Sequence, residues 1–326
     1  MAKATNPAPQ TFIPMQGRWQ FKGNAATYKG TDERKAQEGL CLWPSRFRSG
    51  IARFRVTIGG SDKEAVSSAI DRDVDVAARF VIGYNIATQS YCSIGLGGYG
   101  AAFAAMQVIP GQGWRTLQTR GAASQLRSGH SYDLVVEVAG QLISATVDGV
   151  KVIETALPVP LVGDQSGLFT WGTAEITFED FTLEDSQPQV FVVMQFGEPY
   201  DSLYQEVIQP VSARLGYRAF RADDLSRPGV ILQDIRRGII ESDVIVAEIT
   251  PVNANVFYEL GYAHALEKPT ILLASRKTEK LPFDISGYRV VFYDDTIGGK
   301  REIETNLQKY LESIRKGQTG AYATAA

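Results

Sequence analysis

Residues 253–266 read NANVFYELGYAHAL, which puts Glu259, His264 and two asparagines into one helical segment. Beside Phe257, Leu260 and Ala263 at a cleft edge, the carboxylate of Glu259 loses water, titrates at higher pH and can face a ligand. A solvated helical glutamate is the plainer alternative, and spacing alone leaves both open. His264 follows about 140° further round the helix, so it does not share the Glu259 face, and a satisfied structural role is expected for it. Asn253 or Asn255 can cap the helix by accepting a free N–H, or can meet a ligand. His130 and His264 are the only histidines, and the chain has no HExxH, cysteine-rich set, GxSxG elbow or P-loop. Neither a metal ion nor a cofactor is therefore expected.

These residues need elements to hold them. A chain of 326 residues divides more naturally into two domains than into one. Hydrophobic residues make up 44% and charged residues 21%, with no apolar run long enough to span a membrane. A net charge of −3, without a basic stripe, argues against tight nucleic-acid binding. Cys41 and Cys92 form no CxxC pair, and MAKATNPAPQ has no apolar core of a secretory signal, so a cytoplasmic location is expected.

Residues 1–17 read as a tail. From 18 to 185 the apolar residues alternate as in strands, with Ala52, Phe54, Val56 and Ile58 facing one way and Arg53, Arg55 and Thr57 the other. Ala139-Gly140 and Asp148-Gly149 suit hairpin turns, and the change of phase between Phe178 and Phe181 predicts a bulge. The glycines of IGLGGYGAAF fit a sheet crossing, a close-packed strand or a surface loop. After a linker at 186–189, VFVVM opens a second domain over 190–315, and 316–326 reads as a second tail. Helices are predicted near 201–215 (Leu203, Val207, Val211, Leu215, with Pro210 able to kink it), 229–241 (Ile231, Ile235, Ile239), 255–268 and 302–315. Strands are predicted at YRAF, DVIVAEIT, PTILLA and YRVVFY, with an irregular crossover at 275–288. The fold class is an all-β jelly-roll sandwich followed by an α/β domain with a mostly parallel five-stranded sheet.

In an open parallel sheet the cleft lies beyond the carboxyl ends of the strands. Four loops fall there: Gln195 to Glu198, Arg221 to Asp224, Thr250 to Asn255, and Ser275-Arg276. The helix bearing Glu259 follows the third.

The ordered set VFVVMQFGEPYDSLY, FRADD, SDVIVAEIT, NANVFYELGYAHALEKPTILLA and LPFDISGYRVVFY resembles the bacterial TIR-like nucleotide-binding family, related to TIR NAD hydrolases and nucleoside 2-deoxyribosyltransferases. The likeness covers residues 190–315 and implies a TIR/flavodoxin-like sheet. It also implies cleavage of a ribose–base bond by a glutamate on the helix after the third strand, here Glu259. With NAD as substrate the nicotinamide leaves without needing an acid, and a carboxylate suffices to stabilise the oxocarbenium ion or to form a glycosyl ester. Phe196 is expected as an apolar wall, or as a packed strand-end aromatic. Gly197 offers close backbone approach, and Asp223 or Asp224 can accept from a ribose or form a solvated turn. The fork of Arg221 suits a diphosphate or an ion pair with those acids. Tyr258 and Tyr262 border the pocket or face the sheet. The strand-end carboxylate of relatives is Glu248 here, and the transferase aspartate is Asn253, which favours NAD hydrolysis over base exchange.

The first domain resembles a concanavalin or laminin-G jelly roll, carried by the DGVKV hairpin and the EITFEDFTL strand, and is expected to serve recognition or assembly, with a glycan as one possible ligand. Glu175, Glu179 and Asp180 read as the solvated side of the last strand. Trp19, Trp43, Trp114 and Trp171 read as core rather than sugar platforms. Related domains serve anti-phage defence, so a restrained enzyme is expected, activated by a cyclic-nucleotide or other signal through a homo-oligomer or filament. A non-enzymatic nucleotide sensor is the alternative.

Overall fold

The computed structural model describes residues 12–30, 36–59, 76–161, 163–224, 231–277, 281, 285 and 288–315. The chain forms two compact units that divide between Ser186 and Gln187, apart from two short excursions. The tails before 12 and after 315 and most of the 275–288 crossover lie outside the described residues.

The first unit is a sandwich of two seven-stranded antiparallel sheets, as a jelly roll requires. One sheet runs, edge to edge, β1 (Ile13–Gln16), β4 (Gln37–Arg46), β13 (Gln165–Gly172), β6 (Ala77–Asn85), β7 (Ser90–Gly98), β8 (Ala101–Ile109) and β9 (Gly113–Arg120). The other runs β12 (Val150–Ala156), β11 (Leu142–Val147), β10 (Ser131–Ala139), β5 (Gly50–Ile58), β14 (Ile176–Asp185), β3 (Ala25–Tyr28) and β2 (Trp19–Lys22). Period-two alternation decides the packing: Ala52, Phe54, Val56 and Ile58 enter the core, while Arg53 and Arg55 pair outside with Glu184 and Asp133.

The predicted bulge is present. Register with β5 shifts between Glu179 and Thr182, Asp180 takes a φ of 53°, and the extra residue returns both Phe178 and Phe181 to the core. Asp148-Gly149 forms its turn, but the earlier hairpin turns at Gly140-Gln141, one residue later than expected, because Ala139 still belongs to β10. β1 lies inside the stretch read as a tail. All four of its residues are exposed, so it carries no alternation to reveal it, and its pairing with β4 makes it a strand. Trp43 is in the core and Trp19 packs against it, whereas Trp114 and Trp171 lie with a separate cluster on the other face of the first sheet.

The second unit holds five parallel strands in the order β16 (Arg218–Arg221), β15 (Gln189–Val193), β17 (Val244–Glu248), β18 (Thr270–Ser275) and β19 (Val290–Tyr293). In chain order this is the 2-1-3-4-5 arrangement of flavodoxin-like sheets. Helix α1 (Tyr200–Leu203) runs through a π-helical turn, Tyr204–Ile208, into α2 (Gln209–Arg214), which lets the helical path accept Pro210. Then come α3 (Ile231–Glu241), α4 (Ala254–Ala265) and α5 (Ile297–Arg315). Alternate residues of β15 face opposite layers: Val190 and Val192 pack with α5 and the Tyr204–Val211 stretch, Phe191 and Val193 with α3 and α4. Gly238 belongs on α3 because a Cβ there would stand 2.9 Å from the Phe191 ring.

Candidate functional site

Parallel strands deliver their following loops to one edge, and the candidate residues gather there in two groups. The first is built around Arg221, the last residue of β16. Its Nε and Nη2 donate to Asp223 at 3.1 and 2.7 Å, and its Nη1 donates to Asp201 at 2.7 Å. The guanidinium lies 5.2 Å from the Phe196 ring centroid and 4.5 Å from that of Tyr204. Asp224 accepts from the Tyr204 hydroxyl at 2.6 Å and from the Arg221 N–H at 2.9 Å. The expected diphosphate fork is thus engaged by carboxylates of its own chain, and three aspartates against one arginine make this corner acidic. Phe196 stays 59% exposed, so the face it turns from Arg221 is open to a ligand ring. Gly197 has a φ of 93° and open space where a Cβ would stand.

The second group starts at the end of β17. Asn253 is the N-cap of α4: its side-chain oxygen accepts from the N–H of Asn255 at 2.9 Å and of Val256 at 3.5 Å, which settles the capping question in its favour. One turn on, Val256, Leu260 and Ala263 are buried against the sheet, with Phe257 partly so. Tyr258 is 56% exposed. Glu259 falls between these faces and is half-buried. Burial raises its carboxyl from 4.5 to about 7, and it has no hydrogen bond or ion pair among the described residues. Tyr262 is partly buried and carries Arg236 on its ring face at 5.2 Å.

Glu248 is only 1% exposed. It accepts from the Thr250 hydroxyl at 2.5 Å, the Thr250 N–H at 3.0 Å and the Tyr293 hydroxyl at 3.2 Å. These donors favour the carboxylate, yet burial outweighs them and lifts its titration to about 7. Thr250 in turn accepts from the Ser275 N–H at 2.9 Å, so the ends of β17, β18 and β19 are tied together just before the Asn253 cap. No hydrogen bond, ion pair or ring contact joins the Arg221 group to Glu259 among the described residues.

His264 is not hydrogen-bonded as expected: its ring stacks on Tyr288 at 4.5 Å, its Nε2 is buried without a partner among the described residues, and burial lowers its pKa. A cavity of about 130 Å³ bounded by Gln189, Arg218, Phe220 and Asp234 lies at the amino ends of β15 and β16, on the opposite edge from these loops. Among the described residues no cluster of His, Cys, Asp and Glu could hold a metal ion, and no helix is long and apolar enough to cross a membrane. The Asp201, Tyr204 and Tyr293 contacts escaped sequence reasoning, because their partners lie 20 to 45 residues away.

No family model matches the chain, and no curated protein matches it. Solved structures are similar to its parts. The carbohydrate-binding module CBM66 from Bacillus subtilis aligns with 55% of this chain and 98% of its own at 13% identity, with a TM-score of 0.43. A galectin, LEC-6 from Caenorhabditis elegans, aligns with 48% of this chain and 95% of its own at 12% identity and a TM-score of 0.31. The CMP N-glycosidase BcmB from Clostridium botulinum aligns with 37% of this chain and 98% of its own at 21% identity and a TM-score of 0.31. These likenesses are too distant to carry function, and the two folds stand on the strand orders given above.

Proposed function

We propose that the second unit hydrolyses the bond between ribose and a nitrogen base, with NAD as substrate and Glu259 as the catalytic carboxylate. The observation that carries this reading is a half-buried glutamate, without a partner among the described residues, on the helix after the third strand of a parallel sheet. An apo carboxyl titrating at about 7 is poised to ionise. The cationic nicotinamide ring lowers that pKa on binding, so the carboxylate forms where the positive charge arrives. The nicotinamide departs with the bonding electron pair, and Glu259 stabilises the ribosyl cation or traps it as an ester. Water then supplies the hydroxyl at the anomeric carbon and gives up one proton. Phe196 offers its open ring face to a base, and the Asp223 carboxylate accepts from ribose hydroxyls. Because unrestrained loss of NAD is toxic, the activity is proposed to be a cytoplasmic defence effector, restrained until assembly.

One observation favours a second reading. The excess of aspartates around Arg221 suits an uncharged nucleoside better than a diphosphate. Release of nicotinamide from NAD, beside release of free base from nucleosides, each with wild type and Glu259→Gln, tests both. Loss of either release in the variant assigns Glu259. Release of base from nucleosides alone selects the second reading, and release from neither by an assembled preparation removes the hydrolase.

A further inference from the structure

The outer face of the first sheet, opposite the sandwich core, carries a charge that no described residue pairs. Arg79, on the central strand β6, is 4% exposed. Its Nε donates to the Gly97 carbonyl at 2.8 Å, its Nη1 lies 2.7 Å from the Met106 sulfur, and its carbon rests 5.5 Å from the Phe169 ring centroid. All three partners are neutral. Burial pulls its pKa down to about 10, which still leaves it charged at neutral pH. An unpaired buried cation is costly, so one without a counter-charge calls for an anion. Glu38 lies on the same face, where its charge is felt by Tyr91, but it forms no ion pair with Arg79.

The glycine run left open by the sequence is the bed of this arginine. Gly95 pairs with Arg79 across the ladder, and a Cβ on Gly98 would stand 2.2 Å from Nη2. The lack of side chains at Gly95 and Gly97 lets the guanidinium lie across β7 as far as Met106 of β8. A second polar group on this face is also unmatched. Ser93, between Val81 and Met106 in the ladders, is fully buried, and its hydroxyl has no partner among the described residues.

Nη2 has no hydrogen-bond partner among the described residues and lies beside Gly98, at the start of the turn where Tyr99 is 70% exposed. Trp171 stands on the same face, paired with Ala77 two residues before Arg79, and is half-buried. A forked cation beside the turn that carries an exposed tyrosine, on a face that also holds a half-buried tryptophan, matches a ring with apolar C–H faces and one carboxylate.

We propose that this face of the sandwich binds an acidic sugar, its carboxylate held by Arg79 and its ring bordered by Trp171 and Tyr99. The site belongs to the first unit and does not depend on the reaction proposed for Glu259. The test is calorimetric titration of the full chain with glucuronate, glucose and acetate at fixed ionic strength. Glucuronate is expected to bind at least about tenfold more tightly than glucose, with the preference abolished in Arg79→Lys, which keeps the charge and loses the fork. Trp171→Ala, whose folding is checked by circular dichroism, is expected to weaken glucuronate and leave acetate unchanged. Equal binding of glucose and glucuronate, no binding of either, or glucuronate binding unchanged in Arg79→Lys would overturn the proposal. Acetate binding as tightly as glucuronate would reduce the site to an adventitious ion only, and would overturn it as well.

Discussion

Replacing Glu259 by glutamine separates what the residue does for a reaction from what it costs the fold. Its carboxyl rises from 4.5 to about 7, and the cause is lost water. The unfolded chain sheds this proton near the ordinary value, whereas the folded unit keeps it until about 7. Between those values the folded state binds more protons, so stability falls as pH rises and the loss is complete above the folded pKa. A fully buried group would give about 3 kcal/mol over that interval, and the partial exposure of Glu259 reduces this to about 1–2 kcal/mol. Glutamine keeps the shape and cannot ionise. The variant should therefore match wild type near pH ~4, below the unfolded value, and exceed its stability by that amount near pH ~8, while losing activity. Glu248 titrates in the same direction in both proteins and cancels in the difference. All four tryptophans belong to the first unit, so urea unfolding of the second should be followed by helical circular dichroism. A stability difference that is the same at both pH values would refute the desolvation argument.

Other outcomes follow from the same geometry. Removal of the cap in Asn253→Ala should cost about 1 kcal/mol, most of it restored in Asn253→Ser, as read by urea unfolding. Because Phe196 is exposed, Phe196→Ala should change stability by less than about 0.5 kcal/mol. The same variant should raise KM about tenfold with kcat nearly unchanged, and an equal fall in kcat would show that the ring does more than bind. Gly238→Ala should destabilise the second unit by about 1–3 kcal/mol, since the new methyl meets the Phe191 ring at 2.9 Å. The rate constant kcat/KM should rise through about 7 as Glu259 ionises, and a profile flat across that range would remove Glu259 as the ionising group.

Local pattern made much of the architecture legible. Period-two alternation on β5 and the phase slip between Phe178 and Phe181 are written in neighbouring residues, as is the apolar run of β15, and all three appear in the structure. The helix cap at Asn253 was legible for the same reason, since the N–H groups that donate to it lie two and three residues away. What stayed hidden depends on distant partners or on the absence of pattern. Arg221 could be read as a phosphate fork until Asp201, 20 residues upstream, took its Nη1. Glu248 was legible as a strand end, but the Tyr293 hydroxyl that bonds it, 45 residues on, was not. β1 shows no alternation because all of its side chains are exposed. Trp114 and Trp171 read as core because composition does not tell one face of a sheet from the other when both are buried.

The central claim rests on Glu259, and nicotinamide release from NAD by concentrated, fully assembled protein tests it most directly when set beside Glu259→Gln in the same buffer. The account predicts release by wild type and loss of it in a variant of unchanged mass and fold. Release that persists undiminished in Glu259→Gln would contradict it.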